Sequence, residues 1–292
     1  MIAPGLKRNG WTQWHFIGAA LMGLAGLAAT IEPWRDIYEI AMRDEESSHI
    51  MLVPIVMAWL IWVRRGRMRY CRPTGRWIGP VLVGIGWAMH TLGDAWLMQS
   101  VWHAGAVVTV VGCVLSVLGA EVAKAFLPAL LVLAFLVPVP GLVRQRIAIP
   151  LQSATALITE QVLLVLELPI SRSGSILSIN GVEVAIAEAC NGLRMVFALL
   201  LVSFAVGFGM PLRSYARAII LLATPATAIF CNVVRLVPTV YLHGYAETST
   251  ADTFHDVSGW LMLGVSLVLL MLILRALRWA LVPVTRYTLA TN

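Results

Sequence analysis

A chain of 292 residues that is 59% hydrophobic and only 12% charged, with a mean hydropathy of +0.83, is not built for water; a soluble domain carries roughly 25% charged residues. Charge-poor runs of helix-spanning length recur along it, so the expected fold class is an all-α polytopic membrane protein. The net charge of +6 calls for no nucleic-acid partner, because the basic residues lie mostly in short stretches between apolar runs.

The pattern predicts about eight transmembrane helices in a single domain covering residues 1–292. Lys7 and Arg8 precede the first apolar run, residues 14–30, which reads as an uncleaved first helix because further spans follow. A polar segment from Glu32 to Ser48 follows, of which Glu32 to Glu46 reads by default as a solvated loop and alternatively as part of a recognition surface. The second span, 49–63, is short and stops at a basic stretch with six arginines between Arg64 and Arg76. Spans three (77–92) and four (101–118) flank a connection containing Asp94 and His103. Glu121 and Lys124 precede span five, 125–139, which ends in Pro138-Val139-Pro140.

The pattern then changes. Residues 147–168 are apolar but interrupted by Gln152, Ser153, Thr155, Thr159, Glu160 and Gln161, which fall on one helical face and suggest an interfacial or bundle-lining helix. Residues 170–179 and 182–187 alternate as strands do, about the turn Asn180-Gly181. Such a hairpin cannot face lipid, so it belongs at the membrane surface, before the sixth span. Spans six (193–210), seven (218–237) and eight (257–274) complete the set.

Orientation follows from the bias of Lys and Arg toward cytoplasmic loops. With the N-terminus inside, fourteen basic residues lie inside and seven outside, which favours cytoplasmic N- and C-termini. The same assignment brings Cys190, Arg235 and His255 to one extracytoplasmic layer. A thiol at a helix start meets the positive end of the dipole, and Arg194 one turn further in also favours thiolate. His255 can take the thiol proton or stabilise the anion, and Arg235 can hold an oxyanion or a carboxylate. Asn232 and Arg235, three apart, share one helical face. Asp256 either caps the helix or orients the imidazole. His243, in the same outer loop, is the rival base. The four cysteines have neither CxxC nor Cys/His spacing, and no phosphate loop or HExxH motif occurs, so no metal or cofactor is expected. Cys71 and Cys113 cannot reach the outer layer, and Cys231 reads as a packing residue.

Ala187-Glu188-Ala189-Cys190-Asn191-Gly192-Leu193-Arg194, Asn232-Val233-Val234-Arg235 and Phe254-His255-Asp256 resemble the three signature blocks of the exosortase/archaeosortase family. Ser47-Ser48-His49 before Val53-Pro54, the Trp62 to Arg67 block, Phe135 to Pro140 and Pro150-Leu151-Gln152 extend the resemblance over roughly residues 45–260. The resemblance implies a membrane cysteine transpeptidase of PEP-CTERM-type sorting, in the bacterial inner membrane with its site facing the periplasm. Cys190 would be the nucleophile, Arg235 the essential arginine and His255 the base. Glu188, Asn191, Arg194, Asn232 and Asp256 would support them, with Ser48 and His49 toward substrate. That substrate would be an exported, membrane-anchored protein with a C-terminal sorting signal: a short motif, a transmembrane helix and a basic tail. Position 191 departs from the family, which commonly reads Ala-Cys-Ser-Gly; Asn still caps a helix and donates through its amide. A small-solute transporter is the reading from another class. It expects mid-membrane polar residues and broken helix pairs, of which spans six and eight show little and Pro225 in span seven a trace. An inactive relative assisting exopolysaccharide export is the third.

Overall fold

The computed structural model describes residues 10–73, 77–186 and 192–281 and is mostly helical. The chain divides into two compact units: Met1–Ile149 with Phe204–Met210, and Pro150–Ser203 with Pro211–Asn292.

In the first unit, α1 (Gln13–Ala29) and α2 (Ile31–Arg43) meet at 80°. Thr30 forms the corner: its hydroxyl donates to the Gly26 carbonyl (2.8 Å) and accepts from the Trp34 indole (3.1 Å). The polar segment read as a solvated loop is thus an amphipathic helix. Pro33, Ile37 and Ala41 recur at intervals of four and are buried. Its polar face is engaged as well. Asp36 accepts from Gln99 Nε2 (2.8 Å) and pairs with Nε2 of the fully buried His103 (2.9 Å). Both partners lie on α5 (Gln99–Leu118), so His103 belongs to a helix and not to the connection before it. A short 3-10 turn (Glu45–Leu52) leads into α3 (Val53–Arg64), and a second (Arg65–Tyr70) follows it. The helix α4 (Ile78–Ala95) packs closely along α5 through small residues. A Cβ on Gly86 would lie 2.5 Å from the Thr109 amide nitrogen.

Residues 125–139 do not form one helix. The chain breaks into α6 (Ala120–Ala125), α7 (Leu127–Leu131) and a 3-10 turn (Val132–Leu136). Pro128, near the start of α7, has no N–H to continue a helix from the preceding turn. The next helix, α8 (Gly141–Val165), accommodates Pro150 in its interior.

In the second unit, three short strands, β1 (Ile170–Ser173), β2 (Ile176–Ile179) and β3 (Val182–Ala185), form an antiparallel sheet in the order β1-β2-β3. Asn180 and Gly181 have φ of 51° and 78°, as a two-residue primed turn requires. The predicted first arm is itself folded, because Gly174 (φ 64°) reverses the chain within it. Three long helices complete the described chain: α9 (Gly192–Gly209), α10 (Ser214–Tyr245) and α11 (Thr248–Leu281).

Four described helices are long and apolar enough to cross a membrane: Glu46–Tyr70, Gln99–Leu118, Gly141–Val165 and Ser214–Tyr245. The bent pair α1–α2 makes a fifth if it counts as one span. Gly141–Val165 is in this set although the sequence suggested an interfacial or bundle-lining helix rather than a full span. Its polar residues do not mark a wet face alone: Thr155 and Thr159 are buried, and Glu160 Oε2 accepts from Arg172 Nε on β1 at 2.8 Å. The apolar stretches Leu127–Leu136 and Met195–Gly209 are shorter.

The sheet sits on a core of Ala156 and Leu163 from α8, Leu177, Ile179 and Val184 from the strands, Ile186, and Leu236 and Val240 from α10. Two contacts fix its seat. The Asn180 side-chain amide donates to the Gly244 carbonyl at 3.1 Å. A Cβ on Gly244 would stand 2.8 Å from Cγ2 of Ile179, which is fully buried and cannot retreat. Gly244→Leu should therefore lift the hairpin off α10 and cost about 1–3 kcal/mol of stability, as overpacking does. Thermal unfolding in detergent and faster proteolysis within residues 170–185 would read this, and an unchanged midpoint would contradict it.

Candidate functional site

The site is approached from α10, which carries one of the three signature blocks, Asn232-Val233-Val234-Arg235. Asn232 and Arg235 are one turn apart; Asn232 is buried at 4% exposure and Arg235 is half-buried. An arginine on a long apolar helix must find polar partners or reach water. Arg235 Nε donates to the hydroxyl of Ser258 on α11 at 3.2 Å. Ser258 is only 3% exposed, so this bond lies where α10 packs against α11. Position 255 precedes Ser258 by three residues on a continuous helix, which puts it on the same helical face one turn away.

The segment ahead of α9 begins at the same core. Ile186 is fully buried in the core that includes Leu236, the chain neighbour of Arg235, and its N–H donates to the Ser175 carbonyl at 3.0 Å. Leu193 and Met195 are buried on the first turn of α9. Glu188, Cys190 and Asn191 lie outside the described residues, as do the side chains of Arg194, His255 and Asp256.

His243, the rival base, stands in the last turn of α10. Its Nδ1–H donates to the Thr239 carbonyl at 2.9 Å, and Thr239 in turn donates to the Arg235 carbonyl at 2.8 Å. That bond fixes the tautomer and turns the ring toward its own helix. Ser48 and His49 belong to the other unit, on the 3-10 turn Glu45–Leu52. His49 is buried at 7% exposure and its Nδ1–H donates to the Glu46 carbonyl at 3.1 Å. Around them lies a charged cluster: Arg144 Nη1 stands 3.2 Å from Asp44 Oδ2 and 3.0 Å from Glu46 Oε2, and Asp44 also accepts from Ser47. Two residues that sequence reasoning passed over matter here. Ser258 was hidden inside an apolar run, although its spacing of three from His255 was a usable signal. Arg144 is a hundred residues from its acidic partner Asp44, which no local pattern reveals.

Among the described residues no group of three or more His, Cys, Asp or Glu side chains is placed to hold a metal ion. The chain matches the family model for transmembrane exosortase (Exosortase_EpsH) over residues 34–272. Neither the curated proteins nor the solved structures provide a match.

Cys71, Cys113 and Cys231 are free thiols and all are buried. Cys71 donates weakly toward the Arg67 and Glu121 carbonyls. Burial pushes its thiol above the ordinary range, and the nearby Glu121 carboxylate adds to the shift. A raised thiol pKa leaves less thiolate at neutral pH, and alkylation needs thiolate. A small maleimide at pH 7 should therefore modify Cys71, Cys113 and Cys231 slowly in the folded protein, with Cys71 accelerating only in alkaline buffer. Peptide mapping by mass spectrometry measures this; rapid labelling of Cys71 at pH 7 would show the burial argument to be wrong.

Proposed function

Starting from the fact that this chain belongs to the transmembrane exosortase family, we propose that it is a membrane-embedded cysteine transpeptidase that processes C-terminal sorting signals. The observation that carries the reading is the extent of the family match. It runs from residue 34 to residue 272 and so contains the Cys190, Arg235 and His255 blocks together. The pairing of Arg235 with Ser258, one turn from position 255, supports bringing the guanidinium and the imidazole to one place. Ile186 supports the thiol's arrival there: it belongs to the same buried core as Leu236, and the four residues from it to Cys190 span at most about 14 Å of chain.

The chemistry assigns one task to each group. His255 accepts the Cys190 proton, and the sulfur attacks the carbonyl carbon of the scissile peptide. Arg235 stabilises the oxyanion that develops, a contribution on the order of 10²–10³ in rate. The C–N bond then breaks, the amine leaves with the proton held by His255, and a thioester remains on Cys190. An amine resolves it by transfer, or water by hydrolysis, and the thiol is regenerated. Asn191, Arg194, Asn232, Asp256 and Glu188 support this set, and Ser48 and His49 act toward substrate. No cofactor takes part.

The substrate class is an exported protein anchored by a helix with a basic tail. Such a helix lies beside the bundle with its tail inside, so its outer end meets the thiol. This requires the eight-span topology with cytoplasmic termini and a periplasmic site in a bacterial inner membrane. Fourteen basic residues against seven support that sidedness.

Co-expression with a tripartite substrate tests the reading. Wild type should release or conjugate the processed terminus, while Cys190→Ala, Arg235→Ala and His255→Ala should each lose at least about 10²-fold in rate while still inserting and folding. Intact-mass measurement of the substrate, and of a thioester held on the enzyme, gives the readout. Processing by Cys190→Ala at the wild-type rate would end the proposal.

A further inference from the structure

Ser258 is a buried hydroxyl on α11, and it accepts a hydrogen bond from the guanidinium of Arg235. Burying a hydroxyl without a partner is costly, whereas a bond to a charged donor offsets that cost. The atom engaged is Nε, the nitrogen nearest the helix backbone. A guanidinium is planar and its Nε–H lies in that plane. Holding Nε therefore sets the plane of the whole fork and the aim of its two terminal nitrogens. The holder is not on the arginine's own helix but on α11, three residues after His255. One hydrogen bond thus references the orientation of Arg235 to the helix that carries position 255.

We propose that Ser258 is a positioning residue for the reaction: it fixes the guanidinium plane of Arg235 relative to α11, and so relative to His255. This rests on the function proposed above. Without the hydroxyl, Arg235 keeps its charge but loses its aim, and a misplacement near 1 Å can cost about a hundredfold in rate.

The experiment compares wild type, Ser258→Ala, Ser258→Cys and Ser258→Thr in liposomes, processing a synthetic sorting-signal peptide, with Cys190→Ala alongside. Ser258→Ala should lower kcat by about ten- to a hundredfold with KM nearly unchanged. Ser258→Thr, which keeps the oxygen, should restore most of the rate. Ser258→Cys, close in volume but a weak acceptor, should behave like Ala and covers the case in which Ala fails to fold. In an Arg235→Lys background, Ser258→Ala should add little, because an ammonium has no fork to orient. Wild-type kcat in Ser258→Ala, equal losses in Ala and Thr, or a full additive loss on top of Arg235→Lys would overturn the positioning role. The two levels separate cleanly. An inactive Cys190→Ala beside an unimpaired Ser258→Ala removes only this inference, whereas an active Cys190→Ala removes the function beneath it as well.

Discussion

A charged guanidinium on an apolar helix is tolerated only where its donors are met, and that requirement organises the second unit. Arg235 sits half-buried on α10, engaged by the buried Ser258 of α11. Moving a charge out of water costs several kcal/mol unless it is compensated. The helix pair must therefore hold a fixed register along this stretch: a shift by one residue on either helix would pull the hydroxyl from the fork. Leu236 and Val240, on the adjacent turns of α10, are fully buried against the sheet and so hold the same register from the other side. Packing fixes the helix, and the helix fixes the arginine.

The sheet shows how polar backbone is carried by a chain of this composition. Its strands satisfy one another's N–H and C=O groups, and its apolar side chains bury against α8 and α10. Two polar side chains at its margin are paired. Arg172 bridges to Glu160 of α8 at 2.8 Å and to the Gly174 carbonyl at 3.0 Å, and Asn180 reaches the Gly244 carbonyl. The Arg172–Glu160 pair is partly exposed, so its Coulomb energy is screened and its value is chiefly geometric: it holds β1 against α8.

Local pattern made some of this legible from sequence. The Asn180-Gly181 turn was readable because two consecutive residues must adopt positive φ and these two tolerate it. The long apolar helix around Arg235 was readable from composition, and the three blocks around Cys190, Arg235 and His255 carried the family, which the match over residues 34–272 bears out. What escaped was nonlocal. The turn at Gly174 interrupts an alternation that reads as one strand until its pairing is known. The segment beginning at Glu32 looked like a solvated loop because the partners of Asp36, Gln99 and His103, lie more than sixty residues away. Glu160 and its polar neighbours left an interfacial and a bundle-lining face equally open, because Arg172 and the buried surroundings of Thr155 and Thr159 were out of sight. The break in residues 125–139 follows from Pro128, a local cause that a hydropathy window averages away.

The same distinction between near and distant partners bears on the construction of the proposed site. Arg235 and position 255 are borne by long helices that pack on each other, and helices hold side chains more exactly than loops do. The Cys190 block comes from the connection between β3 and α9. Its ends are nonetheless set by buried residues: Ile186 is locked to Ser175 and to the Leu236 core, and Leu193 is buried as α9 begins. An electrophilic stabiliser must already be in place when charge develops, because reorganising it at that moment would cost part of the rate it provides. On the proposed chemistry, then, the arginine belongs on a rigid helix pair, and α10 packed on α11 provides one.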